Sequence, residues 1–354
     1  MKKLILPFLF AGICLISTAQ DWEQLSPGFF DNLGAVVMLD EQTIFIAGGV
    51  GDIYKSTDGG DSWSTISTGT TGELADLYFA SPSVAVAVGD DGAILRSTDG
   101  GSTWSPVASG TGANLESIHF PDASTGYIAG RDGVILKTTD AGASWSMQTS
   151  GSTERLEAVF FTSITSGFVS GREGTLLETI DGGATWTAGS ISGSDDWKAL
   201  FFSTASTGFM AAEDGDILKT TDAGATWAPA VSSLTMEVSA IDFASANTAF
   251  TAGDFGEIGI STDGGNTWSV DTTISVAELN DVHFINDSTG FVVGNGGTII
   301  RFGSRGEPSG IHNVSVGIKM YPNPATTTVA LSSEEDFAGA VINVMDIQGK
   351  NVRS

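Results

Sequence analysis

Apolar and polar residues alternate with a period of two in short runs along most of this chain, and the runs return at a fixed interval. LESIHF at Leu115, LEAVFF at Leu156 and LNDVHF at Leu279 are three of them, and the same position opens at Leu33, Leu74, Trp197 and Val238. Alternation of this kind puts successive side chains on opposite faces of an extended chain, so each run predicts a β-strand. A second strand follows in TGYIAG, SGFVSG, TGFMAA and TGFVVG, and a third, after a tight turn, in GAILRS, GVILKT, GDILKT and GTIIRF. An octapeptide then makes a hairpin to a fourth strand, which starts at a tryptophan.

Six copies of that octapeptide occur: STDGGDSW, STDGGSTW, TTDAGASW, TIDGGATW, TTDAGATW and STDGGNTW. Their aspartates, Asp58, Asp99, Asp140, Asp181, Asp222 and Asp263, advance in steps of 41 residues, as do Trp63, Trp104, Trp145, Trp186, Trp227 and Trp268. Four strands within a period this long predict a β-propeller. Seven first strands stand against six octapeptides. One step beyond Asp263 lies Ser304, where the motif is absent, and one step before Trp63 lies Trp22. The segment DWEQLS is therefore expected to pair with the third strand of the last unit, at Arg301 and Phe302, closing the ring and removing a free sheet edge. The expected fold is all-β: a seven-bladed propeller over residues 20–303 with three-plus-one closure.

Each octapeptide residue has a structural task. The carboxylate can accept N–H groups of its own turn. The glycine two places on (Gly60, Gly101, Gly142, Gly183, Gly224, Gly265) supplies a positive φ. The hydroxyl residue before tryptophan can close the turn, and the indole can pack between blades. A catalytic residue is not needed six times over, so these aspartates and tryptophans are expected to be structural, with neither a catalytic nor a metal-binding role.

The octapeptide is similar to the Asp-box, or bacterial neuraminidase repeat, and the resemblance covers residues 20–303. A uniform seven-blade ring most resembles the photosystem II stability and assembly-factor propellers. That resemblance implies a scaffold that docks a protein partner, with an arginine-rich patch. The motif is specific for fold and weak for function, because sialidases, xyloglucanases and sortilin-like receptors carry it too.

The two ends read differently. Lys2 and Lys3 precede an apolar run from Leu4 to Ile16, too short to span a bilayer, and Ser17-Thr18-Ala19 offers a cleavage site. Residues 1–19 are thus expected to be a signal peptide. Cys14, the one cysteine, lies inside it, so an exported form would be held by packing and hydrogen bonds. Residues 304–317 read as a linker. The tail, 318–354, resembles the start of a type IX secretion sorting domain, the small β-sandwich that ends many Bacteroidetes secreted proteins. Tyr321, Pro322, Asn323 and Pro324 match its opening, and Asp346, Gly349 and Lys350 its mid-domain turn. Such domains run to roughly twice this length, so the expectation is a truncated β-sandwich fragment unable to close its core. The resemblance implies the type IX secretion machinery as a partner and a secreted or cell-surface location.

Among 354 residues, 42 acidic side chains outweigh 15 basic ones, a formal charge of −27. Such a surface is repelled by phosphate backbones and anionic lipid, which argues against nucleic acid and direct membrane insertion. No glycine-rich loop opens a helix and no His/Cys/Asp group has metal-ligand spacing, so no cofactor is expected. His119 and His283 fall on first strands at the place Tyr78 and Phe160 hold in other repeats, which makes them packed strand residues. Asp90-Asp91 and Asp195-Asp196 read as turn acids. Sialidases need an arginine triad, a tyrosine nucleophile and a paired glutamate, carried on loops of unequal length. Here Tyr54, Tyr78 and Tyr127 lie within strands and the repeat has no insertion.

The turns from second to third strands share a face with the blade-to-blade loops. Arg131, Arg155 and Arg172 fall on that face in adjacent blades, with Lys198 beside them. Two readings stand: a patch that binds a protein or surface polysaccharide, or arginines neutralised locally by Asp132 and Glu173. Trp197 likewise reads either as core or as an exposed aromatic of the same patch. The expected function is a secreted, non-catalytic binding propeller; the alternative is a glycan-active enzyme of sialidase-like or glycoside hydrolase type.

Overall fold

In the computed structural model, which describes residues 22–191, 195–303, 319–321 and 330–332, each repeat folds as an antiparallel meander of four strands. Blade 1 comprises Leu33–Met38, Ile44–Gly48, Asp52–Ser56 and Ser64–Ser67, and the later blades follow the same order. In blade 7 the fourth strand comes from the other end of the chain. Trp22–Leu25 pairs antiparallel with Thr298–Phe302, Trp22 opposite Phe302 and Leu25 opposite Ile299. All seven sheets are present, and no α-helix occurs among the described residues. Blade 6 departs from the plan, since Val231–Ser232 adds a fifth strand, parallel to Thr267–Trp268.

Second strands are buried along their whole length, as at Ala85–Gly89 and Ala249–Gly253, save for the half-buried Thr289 that opens the one in blade 7. Their apolar side chains fill the wedges between blades. Phe45 and Ala47 of blade 1 meet Leu77 and Trp104 of blade 2, and Phe209 of blade 5 meets Ile241 and Trp268 of blade 6. The Asp-box tryptophans are therefore inter-blade core.

The Asp-box turns repeat one bonding scheme. Asp140 Oδ1 accepts the Thr138 hydroxyl at 2.7 Å and the Ser144 N–H at 2.9 Å, while Oδ2 accepts the Ser144 hydroxyl at 2.6 Å. Thr138 Oγ1 in turn accepts the Gly142 N–H at 3.0 Å. These donors hold the Asp99, Asp140, Asp181 and Asp263 carboxyls down at about 2. Glycine at the second place has a further reason besides its φ. A Cβ on Gly101 would lie 2.6 Å from the Phe45 ring of the preceding blade, and one on Gly265 would lie 2.2 Å from Phe209.

Every first strand has a register shift near its start, as between Leu115 and Ser117 or Leu156 and Ala158. A bulge re-aims side chains, and here the residue after each opening position lines the central channel: Gly34, Ala75, Glu116, Glu157, Lys198, Ser239 and Asn280. Further along, side chains of one first strand accept N–H groups of the next blade's first strand. Asp76 takes Ile118 at 2.8 Å, Asp281 takes Val36 at 2.8 Å and Asp242 takes Phe284 at 2.6 Å. His119 Nδ1 accepts from Phe161 at 3.3 Å and His283 Nδ1 from Met38 at 3.2 Å. These donors lie on an inner sheet edge, where an unpaired N–H would cost free energy.

A second unit begins after Arg305, and in it Lys319–Tyr321 pairs antiparallel with Ala330–Ser332. The proposed signal peptide, the linker 304–317 and the tail motifs at Pro322–Pro324 and Asp346–Lys350 lie outside the described residues.

Candidate partner-binding site

The turns between second and third strands set the site. In blade 3 the turn is Arg131-Asp132-Gly133, with Asp132 at φ 56° and Gly133 at φ 67°. A Cβ on Gly133 would come 2.0 Å from the Ser152 carbonyl, so the turn rests directly on the loop leaving its own blade. The Arg131 N–H bonds the Asn114 carbonyl at 2.9 Å, and the Arg172 N–H bonds the Arg155 carbonyl at 3.0 Å. Both turns are thereby fixed, and Arg131 and Arg155 line the channel mouth, a funnel of about 370 Å³.

An unbroken chain of ion pairs crosses blades 3 to 6. Arg131 Nε meets Glu116 at 2.9 Å, and Arg155 meets Glu116 at 3.0 Å and Glu157 at 2.9 Å. Glu157 also takes Arg172 Nε at 3.0 Å and lies 3.9 Å from Lys198, whose Nζ reaches Glu237 at 3.4 Å. The neutralising partners are thus the first-strand glutamates, with Asp196 also 3.6 Å from Arg172 Nε, and not the sequence neighbours Asp132 and Glu173. Depth separates the two signs: the Glu157 side chain is 6% exposed and that of Glu116 12%, against 48% for Arg131 and 41% for Arg172. Hydrogen bonds donated to those glutamates raise both guanidinium pKa values further.

The rest of the rim is acidic or neutral, with Asn32, Glu73, Asp90, Glu278, Asn280 and Asn295. Burial, then the charges of Asp90, Glu278 and Glu116, raises the Glu73 carboxyl above its usual range. The funnel is therefore bipolar, cationic and paired over blades 3–5, anionic and unpaired by cations opposite.

Trp197 is not part of the surface. It is 1% exposed and packs against Leu200, Met210 and Leu218, because the opening position of a first strand points into the wedge between blades. Lys198, the next residue, does face the channel. Sequence reasoning missed Glu116 and Glu157, although both stand at the same place in the 41-residue frame as Lys198. The three strand tyrosines spend their hydroxyls on structure. Tyr54 donates to Asp31, Tyr78 to the Phe120 carbonyl and Tyr127 to the Gly182 carbonyl. No group of three or more His, Cys, Asp or Glu suited to a metal ion occurs among the described residues.

The family model for Photosynthesis system II assembly factor YCF48 matches residues 61–153, 150–233 and 228–303, and that for the secretion system C-terminal sorting domain matches 319–354. No curated protein matches the chain. Among solved structures, YCF48 from Cyanidioschyzon merolae is similar at 20% identity and a TM-score of 0.67, covering 80% of this chain and 98% of that one. YCF48 bound to D1 peptide aligns at 17% identity and 0.66, with coverages of 80% and 95%. A GH74 xyloglucanase from Xanthomonas campestris aligns at 14% and 0.61, covering 78% of this chain and 53% of that one. At these identities the likeness is one of fold.

Proposed function

Since this chain belongs to the Photosynthesis system II assembly factor YCF48 family, we propose that it is a non-catalytic binding propeller whose cationic loop face holds an acidic segment of a protein partner. The sorting-domain match implies secretion or the cell surface and the corresponding secretion machinery. Export across the inner membrane through the N-terminal leader belongs to the same reading.

One observation carries it. Arg131 and Arg172 each commit Nε to a sunken glutamate and keep the rest of the guanidinium at the surface. The glutamates orient the planar forks, so a partner carboxylate meets pre-set donors in a geometry that lysine does not reproduce. A polypeptide partner is favoured over a polysaccharide because a YCF48 relative has been seen with a bound peptide. The non-catalytic part draws support from the tyrosine hydroxyls, all engaged in backbone or side-chain bonds within the ring.

The test is recovery of a partner from the native cell envelope on the immobilised protein, followed by affinity measurements. R131K/R172K should weaken binding about tenfold or more, as expected where charge-assisted bonds of roughly 1.5–3 kcal/mol are lost. Added salt should weaken it further. Equal affinity in parent and variant refutes the cationic site. Hydrolysis of any member of a sialoside and polysaccharide panel refutes the non-catalytic reading.

A further inference from the structure

Across the funnel from the arginines, four apolar side chains stand in solvent at the tips of consecutive turns and loops of the same face: Phe255, Val276, Phe30 and Val50. Their exposures are 65%, 91%, 85% and 60%. They follow one another around blades 6, 7 and 1. A Cβ on Gly256 would lie 2.1 Å from the Ser275 carbonyl, so the Phe255 turn abuts the loop that carries Val276. A Cβ on Gly297 would lie 2.1 Å from the Phe29 carbonyl and 3.0 Å from Phe30 Cα, so the blade 7 turn abuts the loop that carries Phe30. Scattered exposed apolar residues are ordinary; here four stand on abutting turns and loops of one face, a grouping suited to an interaction surface.

Phe255 adds an independent observation. It sits at φ 52°, in the left-handed region. The same place in blades 2 and 3 holds Asp91 and Asp132, in blade 4 the polar Glu173 at φ 53°, and in blade 7 Gly296; Phe255 is the one large apolar residue among these positive-φ positions. A bulky aromatic there carries backbone strain and solvent exposure together, and neither contributes to folding. Strain of this sort is a feature of binding sites.

Charge identifies the occupant. Asp31, Asp52, Asp254 and Glu278 flank the four tips. The two cations of blades 6, 7 and 1 are engaged elsewhere, Arg301 with Glu23, Asp61 and the Gly59 carbonyl, Lys55 over the Phe45 ring. An apolar row in an acidic rim complements a segment that alternates apolar and basic residues. From this juxtaposition we infer that the loop face is a two-ended cradle, in which the polypeptide held by its carboxylates over blades 3–5 continues across the funnel and docks a basic, apolar segment on Phe255, Val276, Phe30 and Val50. This rests on the acidic-segment reading above, and it fixes the direction in which the partner lies.

Three synthetic peptides separate the two ends: a Glu/Asp run, an alternating Lys/Leu run, and the two joined. Variants F255D and V276S should melt no lower than the parent, since Asp already occupies the equivalent turns and Val276 is almost fully exposed. The Lys/Leu peptide should bind the parent and lose affinity about tenfold in F255D/V276S, with the Glu/Asp peptide unaffected. R131K/R172K should give the reverse pattern, so failure of the cationic site and failure of this one are distinguishable. The joined peptide should bind more tightly than either half. The inference is overturned if the Lys/Leu peptide does not bind the parent, or binds F255D/V276S equally well. It is also overturned if a Glu/Leu peptide binds as well, or if sedimentation shows a parent dimer that F255D converts to monomer, which would make a second copy the occupant.

Discussion

Arg96 donates its Nε–H to the carbonyl of Ala141, 2.7 Å away in the next blade. The same staple recurs from Lys137 to Gly182 at 2.6 Å, Lys219 to Gly264 at 2.8 Å and Arg301 to Gly59 at 2.9 Å. Each donor is the next-to-last residue of a third strand, and each acceptor follows the Asp-box aspartate of the following blade. An extended cationic side chain is long enough to cross the wedge, and the hairpin carbonyl gains a charge-assisted partner. Blade 4 has Glu178 at this place, and burial raises its carboxyl above the usual range.

Restoring the missing staple should therefore stabilise the ring. E178K would direct an ammonium toward the Ala223 carbonyl and remove a poorly solvated acid. After the cost of ordering a long side chain, a gain of about 1 kcal/mol is expected. Urea denaturation of the parent and variant measures it. An unchanged or lower midpoint would mean that the blade 4–5 wedge does not admit lysine.

D140A removes three acceptor bonds from one Asp-box turn, two of them from Ser144. A loss of about 1–3 kcal/mol is expected, with partner affinity unchanged in the folded fraction because the turn lies on the opposite face from the arginines. Abolished binding at unchanged stability would assign the Asp-box a functional role instead.

The blades were legible in the sequence because every repeat solves the same packing problem, so Leu33 and Leu279 occupy equivalent wedges and Trp22 falls on the same frame as Trp63. The pairing of the arginines was not read, for a reason of register. Gly130 lies opposite Leu115, which sets Arg131 diagonally across the hairpin from Glu116. Trp197, which the sequence left open between core and exposed aromatic, is core, since the opening position of a first strand points into the wedge. The inner-edge caps at Asp76, Asp242, Asp281, His119 and His283 depend on how closely adjacent first strands approach, which alternation along one strand does not encode.

Two groups of carboxyls should give stability a maximum near pH 4. Burial lifts Asp76 from 3.8 to about 6 and raises Asp242 and Asp281 as well. Between the unfolded and folded values the native state binds more protons, so stability falls as pH rises from about 4 through about 6. The Asp-box carboxyls have the opposite sign. Their folded values near 2 lie below the unfolded 3.8, so their contribution is present above about 4 and is lost as pH falls toward 2. Thermal midpoints measured across pH 2–8 test both limbs. D76N should flatten the slope between pH 4 and 6, whatever it does to the absolute midpoint, and an unaltered slope would exclude Asp76 as its source.

Ring closure rests on a short N-terminal strand, and its removal should matter more than its four residues suggest. Trp22 packs its indole edge-on against Phe250 and Phe284, with ring centroids 5.5 and 6.0 Å away, and lies 4.7 Å from Phe302. Its Nε1–H bonds Asp271 Oδ2 of blade 6 at 2.6 Å. Glu23 pairs with Arg301 at 2.6 Å, and Leu25 packs into the wedge between blades 7 and 1. Deleting residues 20–28 would remove these contacts together and leave the Thr298–Phe302 strand as an open, apolar sheet edge. Such an edge recruits strands from other molecules. The expected outcome is a lowered melting temperature and concentration-dependent association in sedimentation experiments. A separate peptide spanning residues 20–28 should reverse both by occupying the vacant position. A deletion variant that stays monomeric and melts with the parent would show that blade 7 is stable with three strands, and that closure contributes nothing to the ring.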